Sequence, residues 1–204
     1  MISPRLFVIT ARDTARAIVI ARGPAAWAHL IAWDTEHDTF EHGAWFRGRI
    51  YETKCDLSPS GARLVYSAFK GGGSRTSYTD SYTAVSRPPW LFALALWPMG
   101  TIYGGGGRFV DERRLVTRGT RAAHPDHAFD AKQLVVANGD AELPHSSGEV
   151  DGAYWSGHDH AGRVIYTRGG RVYRRVRRRD TELADFRALA PDPQPAPKWA
   201  TRKL

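Results

Sequence analysis

Residues Asp56 to Tyr66 read D-L-S-P-S-G-A-R-L-V-Y, and this stretch decides how the rest of the chain is read. Pro59 presets φ for a tight turn, and Gly61 supplies the positive φ at which a strand reverses. The β-branched run that follows, ending at Phe69-Lys70-Gly71, is the second arm of a hairpin. The same second arm returns along the chain. It reads A-I-V-I-A-R-G around Val19, R-L-V-T-R-G around Val116 and R-V-I-Y-T-R-G-G around Ile165.

The copies stand about 50 residues apart, the length of a β-propeller blade and too long for most helical repeats. Each unit has room for three or four short antiparallel strands. In the first, L-F-V-I-T (Leu6 to Thr10) and A-I-V-I-A precede W-A-H-L-I-A-W-D (Trp27 to Asp34), the turn D-T-E-H-D and a short T-F-E-H strand. In the second, Arg49 to Asp56 is read as the first strand. Gly71 to Ser74 then makes a loop tip, Y-T-D-S-Y-T-A-V-S a strand, and the apolar run from Pro88 to Pro98 a buried strand or pair of strands. The third opens on T-I-Y-G-G-G-G-R-F-V and ends in K-Q-L-V-V-A; the fourth carries hairpin turns at Ala161-Gly162 and Gly169-Gly170. Leu183, Phe186 and Leu189 recur at three-residue steps, which predicts a short helix over Glu182 to Leu189.

D-L-S-P-S-G-A-R-L-V-Y resembles the TolB-type and WD-type β-propeller repeat, in which D-x-S-P-D-G-x-x-L-x-[FY] joins the first two strands of a blade. Ser60 departs from the acidic position, and H-D-H-A-G-R-V-I-Y is a looser copy. The layout is also similar to uncharacterised bacterial proteins with W-D-T…F, C-D-L-S-P and R-P-P segments. The resemblance implies an all-β fold: a small four-bladed β-propeller-like repeat, closed or incomplete, with a short C-terminal helix and tail. The expected domain is 1–190; 191–204, with P-D-P-Q-P-A-P-K, reads as a Pro-rich flexible tail. A twisted sandwich or open barrel is the alternative.

The chain has 204 residues, 42% of them hydrophobic, and no apolar stretch approaching a membrane span. Its start lacks the pattern of a signal peptide, and its single cysteine, Cys55, excludes an internal disulfide framework. A soluble, cytoplasmic protein is expected. The net charge of +8 invites a nucleic-acid reading. However, the cations are mostly arginine in an alanine-rich chain, and GC-rich coding produces that skew by itself.

Propellers host binding proteins and enzymes alike, so function must come from a site. Trp45, Arg47 and Arg49, with Trp155 and His158, are the candidate ligand- or partner-binding residues, placed where loops between blades are exposed. His124, His127, His158 and His160 form two closely spaced pairs. With Asp126 or Asp159 they offer ligands for zinc or another transition metal, and hence a metal-assisted hydrolase. The run R-V-Y-R-R-V-R-R-R (Arg171 to Arg179) makes Arg174, Arg175, Arg177 and Arg178 candidates for nucleic-acid binding; a charged edge strand reads the same way. Cys55 reads as a buried small hydrophobe, and Gly104 to Gly107 as close backbone packing rather than a phosphate loop, since no G-K-[ST] follows. The favoured expectation is a non-enzymatic binding or scaffold module for a protein or small ligand.

Overall fold

β1 (Arg5–Thr10) and β2 (Arg16–Arg22) are apolar on consecutive residues, and nearly all of those side chains are buried. Strands of that kind need cover on both faces, and the arrangement of the chain provides it. In the computed structural model, which describes residues 3–23, 26–71, 80–140 and 146–204, four separate sheets follow one another along the sequence. Gly72, Gly73 and Ser74 of the expected loop tip, and Tyr78 and Thr79 of the strand after it, lie outside the described residues.

The first sheet is an antiparallel meander of β1, β2, β3 (Trp27–Asp34) and β4 (Thr39–Arg47). In the second, β5 (Arg49–Ile50) and β6 (Asp56–Leu57) both pair with β7 (Leu64–Phe69), which continues to β8 (Ser81–Ser86) and β9 (Ala95–Pro98). The third holds β10 (Gly107–Phe109), β11 (Arg114–Thr117) and β12 (Val135–Asn138), the last parallel to its neighbour. The fourth is a meander of β13 (Trp155–His158), β14 (Val164–Arg168), β15 (Arg171–Val176) and β16 (Arg179–Asp185). The all-β class is as expected. No helix among the described residues is long and apolar enough to cross a membrane.

The sheets pack through their opening strands: β13 and β14 against β1, β1 against β6, and β6 and β7 against β10. One apolar cluster draws on the first, second and fourth sheets, and a smaller one joins the second to the third around Phe109 and Trp97. Polar bonds cross the same seams. Thr167 Oγ1 donates to the Leu6 carbonyl at 2.7 Å, and Phe109 N donates to the Asp56 carboxylate at 2.8 Å. Arg12 Nη2 donates to the Phe109 carbonyl at 2.6 Å. The arginine before or at the start of each second strand has a further role. Arg63 reaches the Glu112 and Gln133 carbonyls of the third sheet, and Arg163 reaches the Thr35 carbonyl of the first. Arg114 instead folds back on Asp111 in its own turn.

Three expectations need correction. The helix read over Glu182 to Leu189 is absent, because Arg179–Asp185 pairs with β15 through a register shift at Val172/Tyr173. A helix of eight residues is marginal alone, whereas the hairpin satisfies its backbone at once. Phe186, just beyond the strand, then packs edge-on to Phe40 and His42. The strand read over Arg49 to Asp56 is broken by a 3-10 turn at Glu52–Lys54, which lets Glu52 meet Arg22 at 2.9 Å and the Tyr154 hydroxyl at 3.0 Å. Only Ala95–Pro98 of the Pro88 to Pro98 run is strand.

The chain beyond 190 has no regular element as far as 197, then forms α1 (Lys198–Thr201). Ala200 is buried, Leu204 packs on the smaller cluster, and the Arg87 guanidinium donates to the Arg202 and Lys203 carbonyls.

Candidate functional site

The register of the first sheet puts Trp33 of β3 directly opposite Phe40 of β4, and their rings stack with centroids 5.3 Å apart. Cross-strand aromatic pairs of this kind stiffen a hairpin. The Asp34 carboxylate closes the turn between them, accepting from Glu36 N at 2.9 Å, His37 N at 3.3 Å and the His37 ring at 2.8 Å. The His37 contact holds the Asp34 carboxyl below its ordinary pKa.

Against this face stand two loops of the second sheet, the Leu57 to Arg63 turn and Arg87-Pro88-Pro89. The second loop is tied down where Ala44 N donates to the Pro89 carbonyl at 3.0 Å. Gly43 makes that approach possible, since a Cβ there would lie 2.4 Å from Pro89. Trp199 of α1 supplies a third wall, and together these parts enclose a cleft of about 810 Å³. That volume is in the range of small-ligand sites.

The cleft has an aromatic floor and a rim of both signs: Arg16, Arg63 and Arg87 face Asp34, Glu36 and Glu41 around it. Burial lowers the pKa of Arg63 and of Arg87, and neighbouring arginines lower both further. Trp33 is 1% exposed, lines the cleft, and its indole Nε1 finds no hydrogen-bond partner among the described residues. A buried donor left unsatisfied is costly and uncommon, and Trp90 Nε1, Ser86 Oγ and Arg174 Nε share that condition.

The residues singled out from the sequence lie elsewhere. Trp45 and Arg47 belong to β4 and Arg49 to β5, so they sit on strands on either side of Gly48 rather than in a long loop. Trp45 stacks on His29 at 4.1 Å, and Arg49 lies over the Tyr51 ring at 4.9 Å. Trp155 is core, packed on Phe7. His158 is exposed at the end of β13, with Nε2 3.4 Å from Glu149, and His160 Nδ1 is 3.3 Å from Thr35 Oγ1. His124 and His127 flank a 3-10 turn with ring centroids 5.9 Å apart, and His127 Nδ1 bonds the Ala93 carbonyl. The two histidine pairs are not brought together. Among the described residues no group of three or more His, Cys, Asp or Glu is placed to hold a metal ion.

The arginine run divides. Arg174 is bidentate to Asp38, with both contacts at 2.7 Å, and reaches the Thr35 carbonyl; Arg175 is bidentate to Asp180. Arg177 and Arg178 form the turn between β15 and β16. Cys55 is fully buried, and burial pushes its thiol up to about 12, which removes it as a nucleophile at neutral pH. Gly106 has a φ of 77°, and a Cβ there would lie 2.2 Å from the Lys54 carbonyl, so close backbone approach explains that glycine.

One pair was not singled out from the sequence. His29, buried in β3, shares a 2.8 Å hydrogen bond with the exposed His42, and burial lowers its pKa to about 4. No family model, curated protein or solved structure matches the chain.

Proposed function

We propose that this chain is a non-enzymatic binding module, a propeller-like ring of four blades. It takes a small ligand or an exposed segment of a partner protein in the cleft between its first two sheets. The propeller reading is supported by the contacts that join the first sheet to the second and the second to the third, and by the return of the fourth sheet to the first. The observation that carries the binding reading is the cleft of about 810 Å³ itself, lined by Trp33, Phe40 and Trp199 with charges of both signs around it. It is supported by the convergence of three segments that stand apart in sequence. Trp33, Asp34 and Phe40 of W-D-T…F, Leu57 of C-D-L-S-P, and Arg87, Pro88 and Pro89 of R-P-P all line this one cleft.

The chemistry of the walls describes the ligand. It has an apolar or aromatic body to lie on Trp33, Phe40 and Trp199. Its charge or dipole suits the mixed rim of Arg16, Arg63, Arg87, Asp34, Glu36 and Glu41. Thermal shift with benzoate, indole-3-acetate and N-acetylated dipeptide amides tests this. A probe at ten times its Kd adds about 1.4 kcal/mol and raises Tm by about 3–5 °C. Trp33→Phe trims the aromatic wall of the cleft, so it should weaken that shift. A panel with no stabilising member, or shifts identical in the variant, contradicts the reading.

A further inference from the structure

Two hairpin turns of the fourth sheet have both central residues at positive φ. Gly169 and Gly170 join β14 to β15 with φ of 56° and 80°; Arg177 and Arg178 join β15 to β16 with φ of 47° and 67°. Two-residue turns with both φ positive favour Asn-Gly or Gly-Gly, because a Cβ is crowded there. GC-rich coding supplies glycine as readily as arginine, so it accounts for the arginine content of the chain and not for arginine at both of these positions. The positive φ values give no backbone reason for arginine at either position.

The surrounding charges point the same way. Every nearby carboxylate is already taken: Asp38 by Arg174, Asp180 by Arg175, Glu182 by Arg171, and Asp185 by Arg171 and Arg187. Arg177, Arg178 and Arg179 are exposed and make no ion pair among the described residues. Three unneutralised guanidinium groups on consecutive residues form a compact anion-binding tip on the edge of the sheet. The guanidinium fork suits the paired oxygens of a phosphodiester. Val176 is the one exposed apolar residue in the turn, and no aromatic ring projects there, since Tyr173 is stacked on Tyr166. That composition suits phosphates in water better than insertion into a lipid surface.

We propose that Arg177, Arg178 and Arg179 form a contact for the phosphate backbone of nucleic acid, independent of base sequence and separate from the cleft. The contact reduces the wider run to its unpaired end; Arg174 and Arg175 serve the fold.

The test is fluorescence anisotropy with a labelled 20-base-pair DNA duplex over a salt series. Three phosphate contacts give a log–log slope near −2.7, about a 40-fold loss of affinity between 50 and 200 mM salt. Arg177→Asn with Arg178→Gly installs the pair this turn prefers, so Tm should hold or rise while the slope falls to about −0.9. Arg179→Ser is a second variant that leaves the turn untouched, and it should lower the slope by about 0.9. No duplex binding at 50 mM salt, or unchanged binding in both variants, overturns the proposal. So does tighter binding of the native chain to vesicles of phosphatidylserine and phosphatidylcholine than to the duplex.

Discussion

The seam between the fourth and first sheets and the cleft between the first and second are built from corresponding parts of the repeat, yet one is filled and the other open. In the filled seam, Arg163 at the head of a second strand reaches over to Thr35, which follows the third strand of the next sheet. Arg174, Asp38 and Asp159 complete a buried ion-pair network there, and Arg163 meets Asp159 at 2.6 Å. At the corresponding place in the next seam stand Arg16 and the loop Arg87-Pro88-Pro89, and between them lies the 810 Å³ cleft. The repeat itself therefore does not require an opening. The second seam is lined with Trp33, Phe40 and Trp199 where the first holds the Arg174, Asp38 and Asp159 network, and the proposed binding rests on that difference.

The comparison breaks first at Arg174. Its side chain is 12% exposed and compensates Asp38 and Asp159, the latter fully buried. Arg174→Ala should cost about 2–3 kcal/mol in urea unfolding, because Asp38 loses its bidentate partner while Asp159 keeps Arg163. A loss below about 1 kcal/mol would mean that the seam is held by its apolar contacts alone.

A second test falls on the seam between the second and third sheets. Burial pushes the Asp56 carboxyl up to about 6, so the folded state keeps a proton that the unfolded chain has released. That contribution is full below pH 3.8 and disappears as pH rises through 6. His29 acts with the opposite sign: its folded pKa of about 4 lies below the usual 6.5, so stability is lost as pH falls from 6.5 towards 4. Between pH 4 and 6 the two slopes oppose each other and flatten the native profile. Asp56→Asn removes one of them. Its stability relative to the native chain should rise by about 2–3 kcal/mol from pH 4 to pH 6, followed by urea midpoints. A constant difference across that window would place the Asp56 proton elsewhere.

Smaller effects sharpen the contrast. Trp33→Phe faces an existing cavity and breaks no hydrogen bond, so it should cost about 1 kcal/mol, well below the Arg174 variant. Cys55 should show no effect at all: maleimide should leave the folded chain unlabelled and react once urea unfolds it.

Much of the fold was legible where local pattern and final pairing agree. The four strands of the first sheet follow from apolar runs separated by polar turns, and the first three strands of the fourth from its glycine hairpins. Leu183, Phe186 and Leu189 misled because the strand ends at Asp185, and the bend after it imitates a helical period. The cleft was not legible. Its walls come from segments tens of residues apart, and the W-D-T…F, C-D-L-S-P and R-P-P segments were visible only as separate features. The arginine run was read as one feature because nothing local shows that Arg174 pairs with Asp38, 136 positions away, while Arg177 and Arg178 remain without a carboxylate.

The most direct test of the cleft is the indole N–H signal of Trp33 in a ¹H–¹⁵N spectrum, identified by its loss in Trp33→Phe. The chain has seven tryptophans. On titration with whichever probe raises Tm, the Trp33 signal should move furthest of the seven, as the probe fills the cleft that its ring lines. Saturable movement of other indoles, with Trp33 unchanged, would contradict the assignment of the cleft as the binding site.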